Sequence, residues 1–205
     1  MANNYLNDVK FWDKEVESAF REKGLPLLDA SLQIKEEAQA LAKWIADNNI
    51  RSYLEIGVWT GKLISALDKE FNFEKLAACD TRSATSFGLD IDVPTKTDFF
   101  HGNCMSPIFV NWRNQLGEID LVLIDADHSY ETTLHSLNIN AELKSKYIAV
   151  CGIANNKAEN VEDGRGINGV APVWKDIKAE KTEFIFPHSE IGLDYSTIGI
   201  GIVKV

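Results

Sequence analysis

Apolar positions along this chain follow two rhythms. Short continuous runs of Leu, Ile, Val and Ala at 51–56, 75–80, 119–124 and 147–151 predict strands buried on both faces. Elsewhere the spacing is helical: Phe11, Val16 and Phe20 predict a helix over 4–22, closed by Gly24 and Pro26. Ile34, Ala38, Leu41, Ala42 and Ile45 predict a second helix from Ser31, its N-cap, to about Asn48. Helices are further expected over 61–70, 129–144 and 170–178, the last with Pro172 in its first turn. The segment 81–98 reads as a loop, Phe99-Phe100 closes a short strand, and the glycine-rich 155–169 reads as a mobile loop over the strand ends. Two final strands, 183–186 and 196–203, lie too close for a crossover helix and must be antiparallel. Alternating strands and helices give an α/β architecture.

Composition narrows the classes. At 205 residues the chain suits one domain with a full core. A net charge of −10 with no basic stripe argues against a nucleic-acid partner. No apolar run approaches the roughly 20 residues a membrane helix needs, so no membrane partner is expected. The polar N-terminus, MANNYLNDVKFWDKE, is neither a signal nor a transit peptide, which makes a cytoplasmic location the expectation. Cys79, Cys104 and Cys151 form no C-x-x-C pair and read as reduced structural thiols.

Chemistry concentrates at strand ends. After Tyr53 and Leu54 the first apolar run ends in Glu55-Ile56, then Gly57 and Gly61 flank Val58, Trp59 and Thr60 before a helical pattern begins. Glycines there permit positive φ and close backbone approach, and the free N–H groups of the helix start favour an electron-rich group. The bland alternative is a turn that binds nothing. Asp80 ends the next strand, about 20 to 25 residues on, the offset at which a carboxylate meets a ribose diol; capping the following helix is the alternative. Asn103 follows Phe99-Phe100 in a turn, as a ring contact or a turn former. His101 reads as exposed or supporting. Asp125, Asp127, His128 and Glu131 crowd the end of the run 119–124, where ligands bind in open parallel sheets.

The pattern E-x-G-x-x-x-G at 55–61 resembles the first motif of class I S-adenosylmethionine-dependent methyltransferases. Nicotinamide enzymes fit less well, since G-x-G-x-x-G would need glycine at Trp59 and Lys62. The run D-x-D-H-S-Y-E at 125–131 resembles a segment of the macrocin and cephalosporin-pathway branch and, more distantly, of catechol O-methyltransferase. G-V-A-P-V-W at 169–174 matches the same branch, with Trp174 expected as a core anchor.

That resemblance covers about residues 50–205. It implies a Rossmann-like, doubly wound, mostly parallel seven-stranded sheet with one antiparallel strand near the C-terminal edge. Residues 1–48 would form an N-terminal helical cap on the 49–205 methyltransferase domain, as a lid or packed on the sheet or a partner subunit, so a homo-oligomer stays open. S-adenosylmethionine would be held by Glu55, Gly57, Val58, Trp59, Gly61, Asp80, Asn103 and Asp125. His128 would take the proton of a small-molecule hydroxyl acceptor beside Asp125, since imidazole titrates near neutral pH; bonding to Asp125 or Asp127 at a helix start is its structural alternative. Asp125 could also ligate a divalent metal. Relatives usually complete that metal site with His-Asp where this chain has Cys151-Gly152, which removes an oxygen ligand that Asn155 or Asn156 replaces weakly. The missing acid makes a metal doubtful and leaves a second reading, a cofactor-binding or regulatory protein on the same scaffold.

Overall fold

A computed structural model describes residues 5–16, 18, 29–154, 169–186 and 199–205. Seven strands form one sheet: β1 (Ser52–Ile56), β2 (Lys75–Asp80), β3 (Asp98–His101), β4 (Ile119–Ile124), β5 (Ser145–Cys151), β6 (Lys181–Phe184) and β7 (Ile200–Lys204). Their order is β3-β2-β1-β4-β5-β7-β6. The first five pair in parallel, while β7 runs antiparallel between β5 and β6. The sheet is therefore doubly wound and mostly parallel, with its one reversed strand next to the edge, as expected. Strand order reverses between β1 and β4, which opens a crevice at their carboxyl ends.

Helices α1 (Lys35–Asp47) and α2 (Lys62–Phe71) cover one face; α3 (Pro107–Gln115), α4 (Tyr130–Glu142) and α5 (Val170–Asp176) cover the other. Strand side chains alternate between these layers. Tyr53, Leu121, Leu123, Ala149 and Cys151 join the core under α1 and α2, whereas Leu54, Ile56, Val122, Ile148 and Val150 join the core under α3 to α5. Leu6, Phe11 and the apolar face of α1 belong to the first core, so the N-terminal segment packs with the sheet. Trp174 is 4% exposed, packed where a Cβ on Gly201 would stand, which makes it the anchor the sequence predicts. All three cysteines are free and buried. Among the described residues no helix is long and apolar enough to cross a membrane.

Three expectations need correction. The single helix over 4–22 is a 3₁₀ turn at Tyr5–Asp8 and a separate helical start at residue 14. Between them, the Ser31 N–H donates to the Lys10 carbonyl and the Trp12 N–H to that of Gln33, so two backbone hydrogen bonds tie 10–12 to 31–33. Asp13 then restarts the helix by accepting from the Val16 N–H at 2.9 Å. Phe20, Gly24 and Pro26 lie outside the described residues, as do 155–168 and 187–198. Ser31 does not cap α1; the helix begins at Lys35 behind Ile34, because Ser31 and Gln33 are drawn into other bonds. Finally, α3 went unpredicted. It is capped by Ser106, which accepts from the Phe109 N–H, and carries Pro107 at its start, a helix-initiation signature.

Candidate active site

The turn after β1 is a backbone construction. Gly57 has φ +89°, and a Cβ there would stand 2.1 Å from the Asp125 carbonyl oxygen, so only glycine lets the β1 and β4 ends meet. The two ends are tied directly by the Asp125 N–H donating to the Ile56 carbonyl at 2.8 Å. Gly61, at φ +82°, begins α2, and a Cβ there would meet the Asp92 carbonyl at 2.4 Å. Asp80 organises the rest. Its Oδ2 accepts from the N–H groups of Val58 at 2.9 Å and Trp59 at 3.2 Å, and its Oδ1 from those of Arg82 and Ser83.

A cavity of about 550 Å³ opens over these strand ends, a size usual for small-molecule sites. Gly57, Val58, Trp59 and Asp80 form one wall, and Phe87 faces Trp59 with ring centroids 5.4 Å apart. Asn103 and Cys104 also line it, as do Asp125, Asp127 and His128. The remaining wall is Ser31, Leu32 and Gln33 from the N-terminal segment.

At the β4 end the strand alternation carries Asp125 toward the α1 side. His128 Nε2 lies 3.1 Å from Asp125 Oδ1; their side chains are 23% and 6% exposed. The Gln33 amide Nε2 donates to Asp125 Oδ2, and its carbonyl accepts from Ser31 Oγ. Asp127 builds the turn instead, accepting from the N–H and Oγ of Ser129 and from Thr132 Oγ1. Ser129 caps α4. The His128 carbonyl accepts from the Gly169 N–H at 2.7 Å, so α5 also steadies this loop.

Beneath lies a buried acidic layer. Glu55 is 1% exposed and accepts from the Tyr53 hydroxyl at 2.7 Å. Burial, with Asp125 and Asp80 nearby, pushes its carboxyl well above the ordinary range even though the Tyr53 bond opposes this. Glu37 on α1 is fully buried, and one oxygen accepts from the Gly199 N–H at 2.9 Å. Desolvation raises its carboxyl to about 7, the Gly199 and Phe186 backbone bonds opposing and Glu36 and Asp125 adding.

No protein-family profile and no curated protein matches this sequence. Solved structures do match it. A Klebsiella pneumoniae protein provisionally called an O-methyltransferase aligns over 100% of this chain and 91% of its own at TM-score 0.63 and 16% identity. TomG, an O-methyltransferase of tomaymycin synthesis from Streptomyces achromogenes solved with SAM, aligns over 96% and 91% at TM-score 0.61 and 17% identity. A Bacillus cereus O-methyltransferase solved with SAH aligns over 95% and 92% at TM-score 0.60 and 14% identity. The chain has the O-methyltransferase fold. At such identities the likeness is one of architecture.

Within that methyltransferase fold the anticipated residues divide. Gly57, Val58, Trp59, Asp80, Asn103, Asp125 and His128 all reach one cavity. Glu55 and Gly61 are not part of its wall; Glu55 lies beneath it and Gly61 acts through the turn. Asn103 Oδ1 accepts from the Met105 N–H at 2.8 Å, so a ring contact would have to come from its amide N–H or backbone. His101 is exposed. Gln33, Glu37 and Tyr53 were missed, although an acid on the apolar face of α1 and two polar side chains two apart on a buried strand were legible signals.

The donor set suits an adenosyl sulfonium ligand better than a divalent cation. Bare backbone at Gly57 and the aromatic pair Trp59 and Phe87 match a long, partly aromatic molecule. Both Asp125 oxygens already face nitrogen groups of Gln33 and His128, and position 152 offers no side chain. Among the described residues no three ligating side chains converge.

Proposed function

We propose that this chain is an S-adenosylmethionine-dependent methyltransferase acting on an oxygen of a small molecule, with His128 as general base. The observation that carries this is the His128 and Asp125 pair opening onto the same cavity as the Gly57 to Trp59 turn. Gly57, Val58, Trp59, Asp80 and Asn103 would hold the cofactor. When bound, S-adenosylmethionine supplies a methyl group made electrophilic by the sulfonium. The chain's own task is alignment and proton removal. With Nε2–H turned to Asp125, His128 presents Nδ1 to the acceptor hydroxyl, and Asp125 fixes the ring and stabilises the imidazolium that forms.

His128→Asn tests this when affinity and turnover are measured together. Calorimetry should give S-adenosylmethionine binding within about threefold of wild type, with turnover lowered by about 10² or more. A loss of turnover below tenfold removes the base assignment. The second reading, a binding protein without turnover, draws on the Gly152 position, where the acid that would complete a metal site is missing. Tight binding of S-adenosylmethionine and S-adenosylhomocysteine, with no transfer across a panel of hydroxyl acceptors, would favour it.

A further inference from the structure

Residues 29–33 are held as a strap. Asp29 pairs with Lys62 at 3.0 Å, the Ala30 carbonyl accepts from Thr60 Oγ1 at 3.2 Å, and Ser31 and Gln33 pair with Lys10 and Trp12 through the backbone. Trp12, Val16 and Ala30 form a small core of their own around Leu32. The strap is therefore anchored both to the N-terminal segment and to the turn that follows β1. Its Gln33 is 5% exposed, and the side chain is directed by Ser31 onto Asp125.

We propose that Gln33 is a positioning residue whose amide occupies the side of Asp125 where a divalent cation would bind, so that the Asp125 and His128 pair is fixed without a metal. This rests on the methyltransferase reading and adds to it how the acceptor half is held. A carboxylate oxygen that ligates a cation directs a lone pair to it. At Asp125 Oδ2 the Gln33 N–H is met instead. The Asp125 carboxylate, which can only accept, fixes the amide orientation so that N–H faces it, and the Gln33 carbonyl then accepts from Ser31. Turning the amide to offer oxygen would set Oε1 against a carboxylate. Unlike a lysine or arginine, a neutral amide holds the anion without adding charge. With Oδ2 held by Gln33, Oδ1 faces His128 Nε2, and Nδ1 is left as the basic atom.

The full chain and two variants, Gln33→Glu and Gln33→Leu, test the proposal without knowledge of the acceptor. Mn²⁺ binding is followed by electron paramagnetic resonance at about 1 mM free ion. Wild type should leave Mn²⁺ free, while Gln33→Glu, which sets two carboxylates together, should bind it at least tenfold more tightly and lose that binding in Gln33→Glu/Asp125→Asn. In ¹⁵N-histidine spectra, with His128→Asn for assignment, the wild-type His128 Nε2–H should be protected from exchange. Gln33→Leu should speed that exchange about tenfold or more with thermal stability retained. Wild-type Mn²⁺ binding abolished by Asp125→Asn would overturn the proposal. So would Nε2–H protection unchanged in a folded Gln33→Leu. Calorimetry with S-adenosylhomocysteine on the same samples reports separately on the methyltransferase reading.

Discussion

The two halves of the cavity are held by different physics. On the β1–β2 side, shape comes from backbone: two glycines at positive φ and one carboxylate accepting four N–H groups. On the β4–β5 side it comes from side chains: Asp125 between Gln33 and His128, above buried Glu55 and Glu37. The first half tolerates no added atom at its glycines and needs the acceptor oxygens of Asp80. In the second, burial raises the carboxyls of Glu55 and Glu37 above the ordinary range. On the proposed function, rigidity suits a half that would grip the cofactor, and ionisable groups suit a half that would accept a proton.

Gly57→Ala is the harshest test of the contrast. A Cβ 2.1 Å from the Asp125 carbonyl at φ +89° forces the strand ends apart. Urea unfolding should show a loss of about 4 kcal/mol or failure to fold. Near-wild-type stability would mean that the β1 and β4 ends are not joined as described.

The same acid-to-amide exchange should then have opposite signs in the two halves. Glu37 has its folded carboxyl raised to about 7 from 4.5. Below about pH 4.5 both folded and unfolded forms are protonated and nothing is lost; between 4.5 and 7 the unfolded chain ionises first, so stability falls as pH rises, and above 7 the penalty is complete. Glu37→Gln keeps an acceptor for the Gly199 N–H and removes the titration. It should therefore stabilise the protein at pH 8 by up to about 3 kcal/mol and hardly at pH 4.5. Paired urea titrations at the two pH values check this, and an equal effect at both contradicts it. Asp80→Asn replaces one acceptor oxygen by a donor facing backbone N–H groups, and should cost about 2 kcal/mol in the same assay. A stabilised Asp80→Asn would erase the distinction between the halves. Smaller again, Ser129→Ala removes the α4 cap beside His128 and should cost about 1 kcal/mol by thermal unfolding; no change would show that the α5 contact through Gly169 holds the loop alone.

Legibility in the sequence follows the same division. The β1 turn and Asp80 could be read because their signals are local: a glycine that needs positive φ, an acid at a strand end. The strands β1, β2, β4 and β5 were legible as apolar runs, since a parallel strand buried on both faces leaves little else. Gln33 was not, because its role appears only when the fold brings it to Asp125, 92 positions along the chain. Helix α3 escaped for another reason. Its buried residues are Phe109 and Arg113, and Arg113 is satisfied by Asn140, Ser145 and the carbonyls of Gly117 and Leu143, so no apolar stripe marks it. The N-terminal helix was over-extended because 10–12 gains more from pairing with 31–33 than its helical spacing suggests.

Calorimetric titration of S-adenosylhomocysteine into the purified wild-type chain tests the central claim most directly. One site per chain with a micromolar Kd, roughly −7 to −8 kcal/mol, is predicted, weakened about tenfold or more in folded Asp80→Asn. A folded wild-type protein that gives no heat and no protection from thermal unfolding at millimolar ligand would contradict it.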